Sequence, residues 1–363
     1  MKIDFIISTL GGGGAERVLS LMVNSLARNN NNQIRVITLL KAKDSYTLDP
    51  LVGRVILDKN QSIPGHTLRS LINLYKFYKT KSNRPDIIIS FVTLTNFIAI
   101  NVAKLFSIKI IAQEHNSYLR FMKNRKFLTL FTRKYLYKKA DMITVLTSFD
   151  VSYYENFGAK VCVMPNPCSF IPIKNNSHTR EKVILSVGNL NRYHHKGFDN
   201  LIEIIAPILQ EKPKWKLKIA GSGDEGLAIL KDLVKKKNIT NQVIFTGFIN
   251  NVSEIMYNSS IYVLPSRFEG LPMVLLEAMS QGMACISFNC KTGPSDVISH
   301  NINGLLIEDQ NLDKMKMGIL ELISNEHLRL RLSNEGIKSL EKYDITSVTK
   351  KYQILLNKLA RKQ

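Results

Sequence analysis

Apolar runs of five to eight residues alternate with longer amphipathic runs along nearly the whole chain, and this alternation limits the fold more than any other feature. KIDFIIS (2–8), IRVITLL (34–40), DIIISF (86–91), IKIIAQE (108–114), ITVLT (143–147) and KVCVM (160–164) each have the length and composition of a buried strand. Helical patterns lie between them, the first over about residues 15–28. Strand–helix–strand order calls for a parallel sheet with helices on both faces. The alternation pauses at VMPNPCSFIPIKNNSHTRE (163–181), whose three prolines and polar run read as a linker. It then restarts with VILSVGNL (183–190), KLKIAGS (216–222), VIFTGF (243–248), IYVLPS (261–266), ACISFN (284–289) and GLLIE (304–308).

The chain is therefore expected to be α/β, with two Rossmann-like domains at 1–172 and 173–344 facing each other across a cleft. A last basic helix, 345–363, is expected to pack back on the first domain. Ligands of such sheets bind beyond the carboxyl ends of the strands, so the candidate residues are sought in the loops there.

Composition excludes several alternatives. The uncharged stretch 87–103 is interrupted by Ser90, Thr93, Thr95, Asn96 and Asn101, and reads as a buried strand and core helix, not a membrane span. The N-terminal residues lack the pattern of a signal peptide. Four cysteines without C-x-x-C spacing indicate inert thiols in a reducing cytoplasm. Net charge is +21, and residues 1–172 hold most of it, with 24 basic against 10 acidic side chains. Such a surface favours anionic partners; no nucleic-acid motif accompanies the charge, which leaves an anionic membrane surface or a phosphorylated substrate.

The segment RFEGLPMVLLEAMSQG (267–282) places Glu269 after a strand and Glu277 inside the following helix. Pro272 suits the helix start and Gly282 its stop. A helix N-terminus offers free amides to an anion, and two carboxylates around it can accept hydrogen bonds from sugar hydroxyls. A nucleotide diphosphate sugar fits that pattern. Upstream, SVGNLNRYHHKGFDN carries Arg192 and Lys196 in a loop between strand and helix, where two cations can balance a diphosphate. His194 and His195 share that loop; with no carboxylate partner evident nearby, they read as loop surface. GGGGAER (11–17) allows close backbone approach at Gly13 and Gly14, and His115 ends a buried strand in QEHNSY. No metal-ligand cluster is evident.

E-G-L-P-x-x-x-x-E-A-M-x-x-G resembles the Glu-x7-Glu motif of family 4 retaining glycosyltransferases of the GT-B fold. The loop with Arg192 and Lys196 resembles that family's diphosphate-binding pair, and EHN resembles the form in bacterial transferases that extend lipid-linked oligosaccharides. The resemblance implies that Glu269 contacts the donor sugar and Glu277 the ribose. It places Gly270, Leu271, Pro272, Met273 and Val274 against phosphates and sugar. By the same resemblance Phe248 is expected in the loop against the base, Gly13 and Gly14 facing the donor phosphates and acceptor, and His115 lining the sugar site. The implied enzyme is a hexosyltransferase or N-acetylhexosaminyltransferase, with no cofactor beyond a nucleotide-sugar donor, UDP-linked by preference. Its implied acceptor is a polyprenyl-diphosphate-linked saccharide, and its implied location the cytoplasmic face of the membrane. An epimerase or a nonreactive sugar-nucleotide-binding protein on the same fold is the alternative. LRFMKNRKFLTLFTRKYLYKK (119–139), with eight basic residues and no acid, is expected to be a basic, aromatic, amphipathic helix at an anionic surface, with Arg120, Lys123, Arg125 and Lys126 as contacts.

Overall fold

A computed structural model describes residues 1–28, 32–120 and 126–360. The chain divides into two compact units, one of Met1–Pro167 with Tyr343–Gln363 and one of Cys168–Lys342. The first contains strands β1 (Lys2–Ile7), β2 (Gln33–Thr38), β3 (Gly53–Ile56), β4 (Ile87–Phe91), β5 (Lys109–Gln113), β6 (Met142–Val145) and β7 (Val161–Val163). They form one sheet in the order β3-β2-β1-β4-β5-β6-β7, parallel throughout. The second contains β8 (Glu181–Val187), β9 (Lys216–Ala220), β10 (Val243–Gly247), β11 (Ser259–Leu264), β12 (Ala284–Phe288) and β13 (Leu305–Ile307). Their order is β10-β9-β8-β11-β12-β13, again all parallel.

Strand order reverses beside the first strand of each unit, at β1/β4 and at β8/β11. Connections from the two neighbouring strands leave on opposite sides there, and the gap between them at the carboxyl ends is where ligands enter such sheets. Both sheets bury Ile, Val and Leu on both faces, as sheets covered by crossover helices must. The stretch 87–103 becomes β4 and the helix Thr93–Leu105, whose Asn96 is buried and donates to the Gln113 carbonyl at 2.9 Å. Among the described residues no helix is long and apolar enough to cross a membrane.

Two features depart from the sequence reading. Strand β3 was not expected: GRVI is a partly exposed edge strand that begins with a glycine and pairs only with β2, so it lacks an apolar run. The 119–139 stretch is not one solvent-facing helix. Phe121–Arg125, and with them Lys123 and Arg125, lie outside the described residues. From Lys126 the chain forms a helix to Phe131, a π-helical turn over Thr132–Leu136 and a short 3₁₀ turn over Tyr137–Lys139. Arg133 turns inward. Its guanidinium meets Glu114 at 3.2 Å and donates to the Tyr118 carbonyl at 2.9 Å, both side chains being buried. A cation there satisfies the carboxylate that ends β5, and the π turn gives it the reach.

The helix Ile345–Ala360 belongs to the first unit and buries Val348, Tyr352, Leu355, Leu356 and Leu359. Tyr352 is fully buried, and its hydroxyl accepts from the Gln113 amide at the end of β5. Replacing Tyr352 by Ala should lower the stability of this unit by about 3–5 kcal/mol through the cavity and the lost partner. The only tryptophan, Trp215, is buried in the other unit. Denaturant unfolding followed by far-ultraviolet circular dichroism should therefore shift to lower denaturant, while the transition reported by tryptophan fluorescence stays in place.

Candidate active site

In the second unit, the loops leaving β8 and β11 converge at the switch point. The chain after β8 makes a short turn over Leu190–Arg192, a single helical turn over Tyr193–Lys196, and then the helix Phe198–Glu211. The chain after β11 runs through Ser266, Arg267 and Phe268 to Glu269, and the helix Met273–Ser280 follows. Lys196 Nζ lies 2.8 Å from Glu269 Oε1, with only 16% and 10% of the two side chains exposed. The Ser266 hydroxyl donates to the same oxygen at 2.7 Å. Burial alone would raise the Glu269 carboxyl. The Lys196 charge and hydrogen bond, with help from Ser266, outweigh it and hold Glu269 below its ordinary value of 4.5. The group is a charged, buried carboxylate.

Two glycines permit this approach. Gly197 has φ +71°, and a Cβ there would lie 1.9 Å from the Pro265 carbonyl oxygen. Gly293 has φ +93°, and a Cβ would lie 1.8 Å from the Gly270 carbonyl oxygen. Any larger residue would push the loops apart. The Thr292 hydroxyl donates to the Glu269 carbonyl and fixes its backbone.

Arg267 ties the two loops together, a role that sequence reading did not assign. Its guanidinium donates to Asp199 and to the Asn200 side chain, each at 2.7 Å, and to the His194 carbonyl, while its backbone N–H donates to the His195 carbonyl at 3.1 Å. His194 does have a carboxylate partner, contrary to expectation: its Nδ1 lies 3.0 Å from Asp199. Asp199 enters the first turn of the next helix and so faces back on the loop. Burial would raise its carboxyl, but the bonds from Arg267 and His194 prevail and lower it.

Glu277 is buried between Leu276 and Ala278, not solvated. Leu271 and Pro272 are buried, and Gly270, Met273 and Val274 are half-buried at the helix entry. Pro272 stands just before the first helical residue, where no side chain caps the helix; the first amides have no acceptor within it. Arg192 is exposed, and Phe248, beyond the end of β10, is 76% exposed.

In the first unit the carboxyl ends of β1 and β5 carry the other candidates. Gly13 and Gly14 are exposed at the start of helix Gly14–Arg28, with open space above Gly14. The His115 ring stacks on Phe91 with centroids 4.9 Å apart. Burial pushes its pKa down to about 4; the Asn166 amide opposes the shift without reversing it, and neither ring nitrogen makes a well-formed hydrogen bond. His115 is thus neutral at physiological pH. Arg120 and Lys126 are exposed. Among the described residues no group of three or more His, Cys, Asp or Glu side chains could hold a metal ion.

Two doubly wound parallel units are the architecture of GT-B glycosyltransferase structures. The lipopolysaccharide outer core galactosyltransferase WaaB in its apo form matches with TM-score 0.77 at 21% identity, over 99% of this chain and 100% of that one. Anabaena Alr3699/HepE in complex with UDP and glucose matches with TM-score 0.78 at 15% identity, over 99% and 100%. The family model described as Glycosyltransferase Family 4 matches residues 12–169, and that described as Glycosyl transferases group 1 matches residues 169–339. An uncharacterized glycosyltransferase of Haemophilus influenzae is 32% identical, over 98% of this chain and 99% of its own length. The GalNAc-alpha-(1->4)-GalNAc-alpha-(1->3)-diNAcBac-PP-undecaprenol alpha-1,4-N-acetyl-D-galactosaminyltransferase of Campylobacter jejuni is 30% identical, over 98% of each. The chain belongs to this family of glycosyltransferases.

Replacing Lys196 by Met leaves Glu269 buried without its cation and should destabilise the second unit by about 3–5 kcal/mol at neutral pH. The native carboxyl titrates below 4.5, so the pair's contribution is complete above that pH and is lost as pH falls through the folded value. Thermal melts across a pH series should show a gap between wild type and variant that closes below pH 4.5.

Proposed function

We propose that the protein moves a hexose or N-acetylhexosamine from a UDP-sugar to a polyprenyl-diphosphate-linked saccharide during assembly of a bacterial surface glycan, with retention at the anomeric carbon. The observation that carries this reading is the buried Lys196–Glu269 pair at the switch point of the second sheet. The incoming diphosphate competes with Glu269 for the Lys196 ammonium. Once drawn to the phosphates, Lys196 leaves a charged carboxylate free to accept from sugar hydroxyls. Arg192 adds a second cation, and the entry of helix Met273–Ser280 offers the amides of Met273 and Val274. Glu277 holds the ribose. In the first unit, His115 and the backbone at Gly13 and Gly14 offer polar groups to the acceptor. The relative from Campylobacter, whose name specifies an undecaprenyl-diphosphate acceptor, supports the acceptor class; UDP is the nucleotide in a neighbour of the same fold.

In the reaction the bond from the anomeric carbon to the diphosphate oxygen breaks and a bond to the acceptor oxygen forms on the same face. The acceptor's proton passes to the departing diphosphate oxygen, so no protein nucleophile is required. Lys196 and Arg192 stabilise the charge that develops on the leaving group. A neutral His115 supplies a polar contact without competing as a cation. The enzyme works at the cytoplasmic face of the membrane, where Arg120, Lys123, Arg125 and Lys126 meet anionic lipid.

The test is nucleotide release from a panel of UDP- and GDP-sugars, with and without a lipid-linked acceptor. Acceptor-dependent UDP release is expected; absence of release with every donor and acceptor would overturn the reading. Glu269→Ala should cut kcat strongly, whereas Glu277→Ala should chiefly weaken UDP binding, each lost charged hydrogen bond costing about 1.5–3 kcal/mol. Side-chain and backbone donors carry the diphosphate here, so turnover should survive excess chelator. Loss with EDTA and rescue by Mg²⁺ would reassign the charge balance to a metal.

A further inference from the structure

Phe127, Phe131 and Tyr135 stand four residues apart on one exposed side of the segment 126–139, with 83%, 41% and 57% of their surfaces exposed. The Phe131 and Tyr135 rings lie 5.8 Å apart, and Phe127 precedes Phe131 by four residues in the same helix, so the three make one ridge. The other side of the segment is buried through Thr129, Thr132, Arg133, Leu136 and Tyr137. The buried Arg133–Glu114 pair pins that side to the end of β5, which makes the ridge a fixed surface. Lys126, Lys138 and Lys139 are exposed beside it, and residues 119–139 contain no acid. Three exposed aromatics in a row cost solvation unless something covers them.

We propose that this ridge inserts among the headgroups of an anionic lipid bilayer and so anchors the first unit at the membrane. The proposal rests on the membrane-borne acceptor argued above and adds an apolar contact to the charge attraction assigned there. Aromatic rings flanked by lysines match the boundary between headgroups and acyl chains, where rings are half-buried and ammonium groups meet phosphates. A protein partner would require acidic groups opposite every lysine, whereas an anionic bilayer supplies them everywhere. Strands β5 and β6 are parallel, so this segment crosses from the carboxyl edge of the sheet to its amino edge. Phe127 lies toward the edge that carries His115. A lipid-linked acceptor held by its chain in the bilayer would thus be presented near the reactive end of the unit.

The experiment is co-sedimentation of the full chain with vesicles of phosphatidylglycerol and phosphatidylethanolamine, at low and high salt. The triple variant Phe127→Ser/Phe131→Ser/Tyr135→Ser should lose about tenfold or more in vesicle partition at both salt concentrations, because apolar burial is not screened. The variant Lys126→Gln/Lys138→Gln/Lys139→Gln should lose partition chiefly at low salt. Thermal unfolding of the aromatic variant should match wild type, since the three side chains are exposed. In a separate Phe127→Trp variant, tryptophan emission should shift to the blue on adding vesicles, against the buried Trp215 of the other unit. Wild-type partition of the triple variant, or no spectral shift in a Phe127→Trp variant that sediments, would overturn the proposal. So would a change in oligomeric state of the triple variant without lipid, together with unchanged vesicle binding, which would make the ridge a contact between copies. Nucleotide release measured with a detergent-dispersed lipid-linked acceptor and no vesicles reads the reaction alone, so failure of the ridge and failure of the proposed reaction are distinguishable.

Discussion

A charged carboxylate can be buried only beside a cation. Glu269 meets that condition through Lys196, and much of the second unit serves that contact. The parallel pairing of β8 with β11 brings the two loops side by side. Gly197 and Gly293 let backbones pass at distances no side chain would tolerate. Arg267 fastens one loop to the other through Asp199 and Asn200, and Thr292 holds the backbone under Glu269. The carboxylate and ammonium satisfy each other, so the pair is charged and ordered.

The first unit solves the same problem differently. Glu114 ends β5 in the core, and its partners Arg133, Thr93 and Tyr137 come from the segments that flank the strand. Its charge is consumed internally, whereas the Glu269 pair lies at the switch point of its sheet, between the loops after β8 and β11. Next to Glu114, His115 is neutral because burial costs its charged form more than the Asn166 side chain returns. Two carboxylates beyond strand ends therefore have different settings: Glu114 anchors a crossing segment, and Glu269 joins the loops after β8 and β11 through Lys196.

The alternation of strand and helix patterns made the two α/β units legible, because buried parallel strands must be apolar on both faces. Glu269, Lys196 and Glu277 were singled out through the family motifs they resemble, but not the ion pair that joins Lys196 to Glu269. Strand β3 was missed because an edge strand with one exposed face has no apolar run to announce it. Arg133 was read with its basic neighbours as a surface cation, since its periodicity does not reveal a π turn that points it at Glu114. Arg267 and Asp199 are 68 residues apart, and neither looks special locally; only the adjacency of β8 and β11 makes them partners. The same holds for His194, whose carboxylate was five residues away in the sequence and became relevant only once the helix start turned it back.

The chain's sequence by itself determined the element types, the parallel sheets and the residue kinds available at the strand ends, because these follow from local periodicity and from the few side chains that can face phosphate or sugar. Tertiary structure alone decided which of those residues meet. It paired Lys196 with Glu269, withdrew Arg133 from the surface, left Phe127, Phe131 and Tyr135 on it, and buried Glu277. Each of these outcomes depends on distances between segments remote in the chain. Those distances are set by strand order and by the close backbone contacts at glycines, which no window of sequence contains.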